Sequence, residues 1–466
     1  MAIAGRTHRA NAGPPKFVNG STLRHILVMT TMGAVGLMAI FLCDLANILF
    51  LSWLRDEAIL AAVGYAGSIL FLTISMGIGL SIAATSLVAP ALGAGRRMRA
   101  RRLSLNAHVL TFLAATALSA VVWLAIPMLL RLLGASGRTE VLATQYLSIL
   151  VPALPPLAVA MTSASVLRSV GDPRLAMSVT LIGAVVNTLL DVLLILGLGL
   201  GIQGAAYSSA IARLTMMAVG LYGVFRVHDL GGRLRPATLL ADAPALIAVA
   251  VPAVLTNIAT PVANAYVTRA MAPFGDASVA GWAILGRLTP VAFGALFALS
   301  GTIGPIIGQN HGAGAYVRVR NALTQSLLVT TVYCALAWLL LALLAQPLAA
   351  AFHATGKTAD LIVFFCRDLA GLFVFLGALF VANAAFNTLG RPQVSTALNW
   401  GRATLGTVPF AAAGGYIAGA QGVLAGNMIG GVAFGIVAVW LAYRCIDELG
   451  AKGPNIDAPN IAAPGI

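Results

Sequence analysis

The stretch that decides the fold is residues 167–210, LRSVGDPRLAMSVTLIGAVVNTLLDVLLILGLGLGIQGAAYSSA. It opens with a Gly-Asp-Pro turn, continues as a long apolar run, and passes through a glycine turn into a second apolar run. The first run covers residues 175–200, whereas about 20 helical residues cross the roughly 30 Å of hydrocarbon in a bilayer. The pattern therefore predicts a transmembrane helix that carries an acid, Asp191, at membrane depth.

Two polar residues interrupt this apolar run. Asn187 and Asp191 are four residues apart, so an amide and a carboxyl lie on one face of the helix, one turn from each other. A charged side chain at the bilayer centre costs about 2.5 to 3.5 kcal/mol on insertion scales, and such residues usually mark an ion or substrate path. We interpret Asp191 as functional; the alternative is a carboxyl that only ties two helices together.

The composition places the whole chain in a membrane. Of 466 residues, 59% are hydrophobic and only 9% are charged, compared with about a quarter charged in soluble proteins. Glycine, proline and arginine clusters divide the chain into twelve apolar runs, which predict an all-α polytopic protein with twelve spans. The predicted spans are residues 26–54, 58–92, 103–132, 140–168, 175–198, 204–225, 244–268, 277–308, 321–350, 361–388, 394–415 and 422–443.

The basic residues are distributed as expected for a membrane protein. Alternate loops, counted from the N-terminal tail, hold nineteen Lys and Arg, whereas the loops between them hold five. Basic residues resist translocation, so the pattern predicts that both termini lie in the cytoplasm, in an inner (plasma) membrane. The run RRMRARR at 96–102 lacks aromatic neighbours, so we interpret it as a topology anchor on anionic lipid headgroups rather than a nucleic-acid site.

The chain repeats itself at a spacing of 218 or 219 residues. The motif at 171–173 recurs at 390–392, Gly-Ala-Gly at 93–95 recurs at 312–314, and Gln-Gly at 203–204 recurs at 421–422. The repeat predicts two six-helix lobes related by a pseudo-two-fold axis along the membrane normal. The predicted divisions are an N-terminal tail (1–24), an N-lobe (25–227), a cytoplasmic linker (228–243), a C-lobe (244–443) and a C-terminal tail (444–466).

A second acid lies deep in apolar sequence. Asp44 is in the first span with Asn47 three residues later, and its counterpart in the second repeat is the neutral Asn264. Burial disfavours the charged form of a carboxyl, so Asp44 and Asp191 could exchange a proton. They could instead hold Na⁺ if neutral oxygens, for example those of Asn187 and Ser209, converge on them. Arg213 either reaches toward the interface or lines a cavity between the lobes.

The sequence offers no support for an enzyme. It contains no HExxH, CxxC, GxSxG or Walker-type motif, and its six histidines lie in tails, loops or span ends. Two aspartates at membrane depth without histidine do not make a catalytic metal site. We therefore expect neither a catalytic centre nor a cofactor.

Several motifs together resemble the multidrug and toxic compound extrusion (MATE) family of antiporters. They are Gly-Asp-Pro at 171–173 with Asn-Thr-Leu-Leu-Asp at 187–191, the acid of the first span, and Gly-Gln-Asn-His-Gly-Ala-Gly at 308–314. The resemblance implies a twelve-helix, two-lobed fold with a central cavity that exports amphipathic, often cationic, drugs or metabolites against H⁺ or Na⁺ entry. Because a closed twelve-helix unit can work alone, we expect a monomer. It implies coupling through a site in the N-lobe and a substrate cavity between the lobes. The implied coupling residues are Asp44, Asn187, Asp191 and Ser209, and the cavity candidates are Asn47, Asn264 and Arg213.

The chain departs from the family pattern at three places. The first span has no proline near Met29, so a proline-based kink is not expected there. Val192 replaces a proline after Asp191. Arg287 is followed by Leu288 where many members have a glutamate, which leaves the arginine without an evident partner.

One other class of transporter is compatible with this pattern. A flippase for a lipid-linked saccharide, from the same broad superfamily, would line its cavity with several basic residues that bind a pyrophosphate. Only Arg213 and Arg402 are candidates for that role. A channel or a purely structural membrane protein is a third alternative, which the repeat and the two acids disfavour.

Overall fold

The computed structural model describes residues 15–54 and 56–451, and within them the chain is helical with no β-strand. Short 3₁₀ or π-helical turns join some of the helices. The helices are α1 (Thr22–Ser52), α2 (Glu57–Gly93), α3 (Arg97–Leu132), α4 (Gly137–Leu150), α5 (Leu154–Val170), α6 (Pro173–Asp191), α7 (Gly201–Tyr222), α8 (Pro236–Met271), α9 (Asp276–Ala292), α10 (Gly294–Gly312), α11 (Tyr316–Leu343), α12 (Ala345–Ala351), α13 (Gly356–Phe364), α14 (Phe373–Thr388), α15 (Pro392–Gly401) and α16 (Val408–Ala451).

The helices form twelve membrane spans. Ten helical stretches of the described chain are long and apolar enough to cross a bilayer, and α9 with α10 adds a further span that is bent by 50°. The last of the ten stretches, Pro392–Ala451, contains two spans, because Ala418 and Gly419 have non-helical backbone angles in its middle. The predicted all-α class with twelve spans is therefore confirmed.

The breaks within spans follow the prolines and glycines. α1 runs from Thr22 to Ser52 without interruption, as expected for a first span that lacks proline. A 3₁₀ turn at Val151–Ala153 separates α4 from α5 where Pro152 lies. The bend between α9 and α10 follows Pro290, because a proline has no N–H for the helical ladder and its ring crowds the preceding turn.

Several helices extend beyond the predicted spans. α8 begins at Pro236, inside the stretch predicted as the linker, and α16 continues to Ala451, inside the predicted tail. α1 begins at Thr22, before the predicted end of the N-terminal tail. Hydropathy marks only the part of a helix that lies in hydrocarbon, whereas the backbone hydrogen bonds continue into the polar region.

The two repeats have separate cores that meet through a few helices. One buried cluster is drawn from residues 51–206 and another from residues 267–424. Two further clusters cross between repeats: Leu246 and Ala250 of α8 join the N-terminal repeat, whereas Ile26 and Met29 of α1 join the C-terminal repeat. The contact between repeats is made mainly by α2 with α8 and α10, and by α1 with α10.

At one end of the molecule the repeats are pressed together. A Cβ added to Gly93 would collide with the backbone of Gln309, and one added to Gly312 would collide with the backbone of Pro90. Small residues allow this close approach of helices. At the opposite end a Cβ added to Gly64 or Gly286 would meet nothing within 4 Å. The repeats are therefore packed tightly against each other at the C-terminal ends of α2 and α10.

Hydrogen bonds across the repeats reinforce the closed end. Gln309 donates from Nε2 to the Ser169 carbonyl (2.7 Å) and accepts at Oε1 from the Phe17 N–H (2.9 Å). The Phe17 carbonyl accepts from Asn310 Nδ2 (3.2 Å) and from Arg318 Nη2 (3.0 Å). Phe17 itself is fully buried. The motif at 308–314 thus ties both repeats to the segment before α1.

The basic run at 96–102 binds protein at three of its five arginines. Arg97 donates to the His228 carbonyl (2.8 Å), and Arg101 donates to the Gly231 carbonyl (2.6 Å). Arg102 pairs with Asp242 at 2.9 Å. These arginines hold the connection between the repeats, a role that the headgroup interpretation did not foresee. Lipid contact by the exposed Arg96 and Arg99 stays a prediction.

Candidate functional site

Asp191 is the last residue of α6 and is completely buried, with 0% of its surface exposed. A π-helical turn, Val192–Gly197, follows it directly. Val192 has an N–H, unlike the proline of the family pattern, and the helix continues past Asp191 as this wider turn. Single π-helical turns within helices are frequent at functional sites.

Side chains from three helices donate hydrogen bonds to the Asp191 carboxylate. Asn47 of α1 donates from Nδ2 to both oxygens, at 3.2 Å each. Asn187 of α6 donates from Nδ2 to Oδ2 (3.1 Å), and Ser208 of α7 donates from its hydroxyl to Oδ1. An ionised carboxylate only accepts hydrogen bonds, so this shell of donors suits the charged form.

The same site contains an oxygen with no partner. Asn187 Oδ1 is buried and makes no hydrogen bond within the described chain. Its Nδ2 contacts both Asp191 and the Cys43 sulfur, the latter at 3.0 Å. A buried acceptor without a donor is costly, and a proton donor or a cation at this position would relieve the cost.

Asp44 lies outside this hydrogen-bonded group. Its side chain is exposed, and it makes no hydrogen bond or ion pair with the residues that the structure describes. It interacts electrostatically with Arg213, whose Nη1 donates to the Leu150 carbonyl (3.2 Å), and with Asp191. The two acids are therefore close enough to interact electrostatically, but Asp191 is buried and hydrogen-bonded whereas Asp44 is exposed. Their predicted roles in coupling stay predictions.

The hydroxyl that contacts Asp191 is Ser208, one residue before the predicted Ser209. Ser208 is fully buried, whereas Ser209 is half-buried and lies beside the Tyr146 hydroxyl. The periodicity of α7 contains the signal, since Gly204, Ser208 and Ala212 repeat every four residues on its buried face. Asn47, predicted only as a cavity residue, is likewise a direct partner of the carboxylate.

The C-terminal repeat has no equivalent of this carboxylate site. Asn264 is exposed on α8, and Arg287 is exposed on α9 without an ion pair among the described residues. Arg402 is buried and donates from Nη2 to Thr260 Oγ1 (3.2 Å). No group of three or more His, Cys, Asp or Glu that could hold a metal occurs in residues 15–54 and 56–451.

A cavity of about 630 Å³ lies between the repeats. It is lined almost entirely by apolar side chains of α1, α10 and α11, with Leu181 of α6. Thr30, Thr31 and Tyr333 are its polar lining residues. Asp44 and Asp191 do not line it, so the cavity suits the apolar part of a small molecule rather than an ion.

Comparison with known proteins identifies the family. The family model described as MatE matches residues 34–193 and 252–413, which is well over half of the chain. The chain is a member of the MATE family. The resemblance inferred from the motifs is thereby confirmed.

Individual relatives cover nearly the whole chain. The FAD transporter of Shewanella oneidensis (strain MR-1) is 31% identical over 434 residues, which cover 92% of this chain and 96% of that protein. A probable multidrug resistance protein NorM of Thermotoga maritima is 23% identical over 360 residues, 76% of each chain. The crystal structure of the Vibrio cholerae MATE transporter VcmN in its bent form matches with a TM-score of 0.85 and 24% identity, covering 93% of this chain and 98% of that one.

Family membership settles the coarse function. The protein is a multi-pass membrane transporter for small molecules and not an enzyme. MATE transporters use ion gradients rather than cofactors.

Proposed function

We propose that this MATE transporter exports an organic small molecule in exchange for H⁺ or Na⁺, with Asp191 as the principal coupling group and Asp44 as the second. The observation that carries the proposal is the complete burial of Asp191 among donors from α1, α6 and α7. A buried acid at membrane depth is expensive and is normally retained for ion transport.

The hydrogen-bond pattern suggests how protonation changes the structure. A protonated carboxyl gains an O–H and loses acceptor capacity, so at least one of the donors Asn47, Asn187 and Ser208 must move away. Asn47 and Ser208 lie on helices other than that of Asp191. When the donor that moves is Asn47 or Ser208, protonation loosens α1 or α7 from α6, and an ion shifts the two-state equilibrium by its differential affinity for the two orientations.

The ion gradient is large enough for active export. One charge that crosses about 100 mV gains about 2.3 kcal/mol. A difference of one pH unit adds about 1.4 kcal/mol. For a one-to-one exchange of H⁺ with a neutral substrate, these terms together support a substrate gradient of a few hundredfold, on the order of 10²–10³.

H⁺ and Na⁺ require different orientations of the amides. With Asn47 and Asn187 donating, the carboxylate is surrounded by N–H and O–H groups, which suits proton exchange. A Na⁺ site needs oxygen ligands, so both amides would have to turn by 180° and present Oδ1. The unpartnered Asn187 Oδ1 is the first oxygen available for such a site.

The names of the relatives and the charged residues Asp44 and Arg402 favour two classes of substrate. An amphipathic cation is favoured by the exposed acid Asp44 and by the multidrug resistance relative. A phosphate-bearing flavin is favoured by the relative named as an FAD transporter and by the buried Arg402. A lipid-linked saccharide flippase is the remaining alternative, and it would transport neither the fluorescent cation nor the flavin used in the test below.

The test is uptake into inside-out vesicles under separately imposed pH and Na⁺ gradients, with a fluorescent cation and a flavin as substrates. We expect one gradient to drive uptake by the wild type, and we expect Asp191→Asn and Asp44→Asn to abolish it while the protein stays folded and inserted. Asp276→Asn, which alters an exposed acid at the start of α9, is the matched control. If Asp191→Asn retained full gradient-driven transport, Asp191 would not be the coupling group.

We also infer that the protein acts as a monomer in the inner membrane with both termini in the cytoplasm. The excess of Lys and Arg in alternate loops supports this orientation. A fluorescent reporter fused after the C-terminus should mature in the cytoplasm, and alkaline phosphatase inserted at residues 133–136 should be active outside. The reverse result would invert the topology.

A further inference from the structure

The C-terminal repeat buries one charged side chain that has no charged partner. Arg402 begins the π-helical turn Arg402–Gly406 after α15 and is only 8% exposed. A guanidinium has five N–H donors, yet the only hydrogen bond it makes to a described residue is from Nη2 to Thr260 Oγ1. Its Nε is buried without an acceptor.

The position of Arg402 makes this state expensive. It lies ten residues after Pro392, which is about 15 Å along the helix and close to the middle of the bilayer. A buried charge is normally paired, because neither lipid nor apolar side chains replace its hydration. No acidic residue of the described chain forms an ion pair with it, so an anion from outside the chain would compensate its charge.

The surroundings of Arg402 are polar but neutral. Ser395, Asn399 and Arg402 follow a spacing of four and three residues and form one polar stripe on this span. Ser395 Oγ is buried without a partner, and Asn399 donates to Asn383 Oδ1 (3.0 Å). The N-terminal repeat surrounds a carboxylate with donors, whereas this repeat offers donors without a carboxylate.

Two further polar side chains are connected to Arg402, Thr260 through the guanidinium and Asn427 through Thr407. Thr260 accepts from Arg402 and keeps its O–H free to donate. Thr407 Oγ1 lies 3.1 Å from Asn427 Oδ1 and 3.1 Å from the Arg402 carbonyl oxygen, and its single proton serves one of these two acceptors. The Nδ2 of Asn427 makes no hydrogen bond with the described residues, and this side chain is half-buried.

We propose that Arg402, with Thr260 and Asn427, binds the phosphate group of the transported substrate. The guanidinium fork matches two oxygens of a phosphate. The hydroxyl and the amide add donors from α8 and α16, which suits a tetrahedral oxyanion. The proposal deepens the proposed function, on which it rests, by assigning the residues that recognise the phosphate of a phosphate-bearing substrate.

The experiment compares two ligands that differ only in a phosphate. Riboflavin and riboflavin 5′-phosphate are titrated against the purified full-length protein in phosphatidylcholine nanodiscs, and binding is followed by flavin fluorescence. We expect the wild type to bind the phosphorylated flavin at least about tenfold more tightly. Arg402→Gln should abolish this preference, and Arg402→Lys should keep part of it, because a point charge replaces the fork.

The control removes one arginine from the same repeat. Arg367→Gln alters an exposed arginine that also lies in a π-helical turn, so it changes the net charge equally and should keep the preference. Gel filtration and the melting temperature establish that each variant is folded. Inorganic pyrophosphate should raise the melting temperature of the wild type and not that of Arg402→Gln.

Several results would decide against the proposal. Equal affinity of the wild type for the two flavins, no stabilisation by pyrophosphate, or an unchanged preference in Arg402→Gln would each overturn it. Nanodiscs that contain phosphatidylglycerol distinguish the source of the phosphate: competition that depends on Arg402 would mean that a lipid phosphate also enters the site. Asp191→Asn should lose gradient-driven transport yet keep the preference, so a failure of ion coupling is separable from a failure of phosphate binding.

Discussion

The hydrogen bonds of Gln309 provide the sharpest test of how the closed end of the transporter is stabilised. Its amide bridges the Ser169 carbonyl and the Phe17 N–H, so Gln309→Leu removes both hydrogen bonds and leaves two buried groups without partners. Each orphaned group costs about 1 to 3 kcal/mol. At the lower end of that range the closed state loses about 2 kcal/mol, which shifts the equilibrium toward opening by about 30-fold.

The assay is the reactivity of a cysteine placed in the closed interface. Thr85 is buried on α2 and packs near Gly304 of α10, so Thr85→Cys reports opening between the repeats. The four native cysteines are buried, and their reaction with an impermeant maleimide in inside-out vesicles provides the baseline. We expect Gln309→Leu to accelerate labelling of this cysteine by a factor of about 30.

A matched control makes the result specific. Gln325 is a half-buried glutamine of α11 whose Oε1 is buried without a partner, so Gln325→Leu makes the same chemical change without cutting a bond between the repeats. It should leave the labelling rate unchanged. Equal rates for Gln309→Leu and the parent protein would refute the idea that this glutamine holds the end closed.

Three further predictions follow from the packing. Ser208→Ala removes a direct donor to Asp191 and should change the pH or Na⁺ dependence of transport, whereas Ser209→Ala should change it little; a larger effect at Ser209 would contradict the observed contact. Gly312→Val should abolish transport by blocking closure, as measured by vesicle uptake, while Gly286→Val, where an added Cβ meets no neighbour, should retain it. Asp242→Ala should free the start of α8 from α3 and speed cleavage by trypsin after Arg233, and unchanged proteolysis would show that the contacts of Asp242 with Arg102 and Asn106 do not hold this segment.

Only part of the candidate site could be predicted from the sequence. Asn187 and Asp191 are neighbours through helical spacing alone, so their contact follows from local geometry. Asn47 and Ser208 are distant in the chain, and their contact with the carboxylate depends on how α1 and α7 rotate against α6. That rotation is set by packing, so the sequence predicts Ser209 as the coupling hydroxyl although Ser208 contacts Asp191.

Hydropathy and glycine, proline and arginine clusters determined the class of protein and the number of spans, and short motifs determined the family, because each is a local or periodic property of the chain. Only the tertiary structure decided which end is closed, that Gln309 bridges the repeats, and that Arg402 lacks a charged partner. These features depend on contacts between residues far apart in the sequence, and the same apolar helices could pack in many registers. Side-chain shape at the helix interfaces selects one of them.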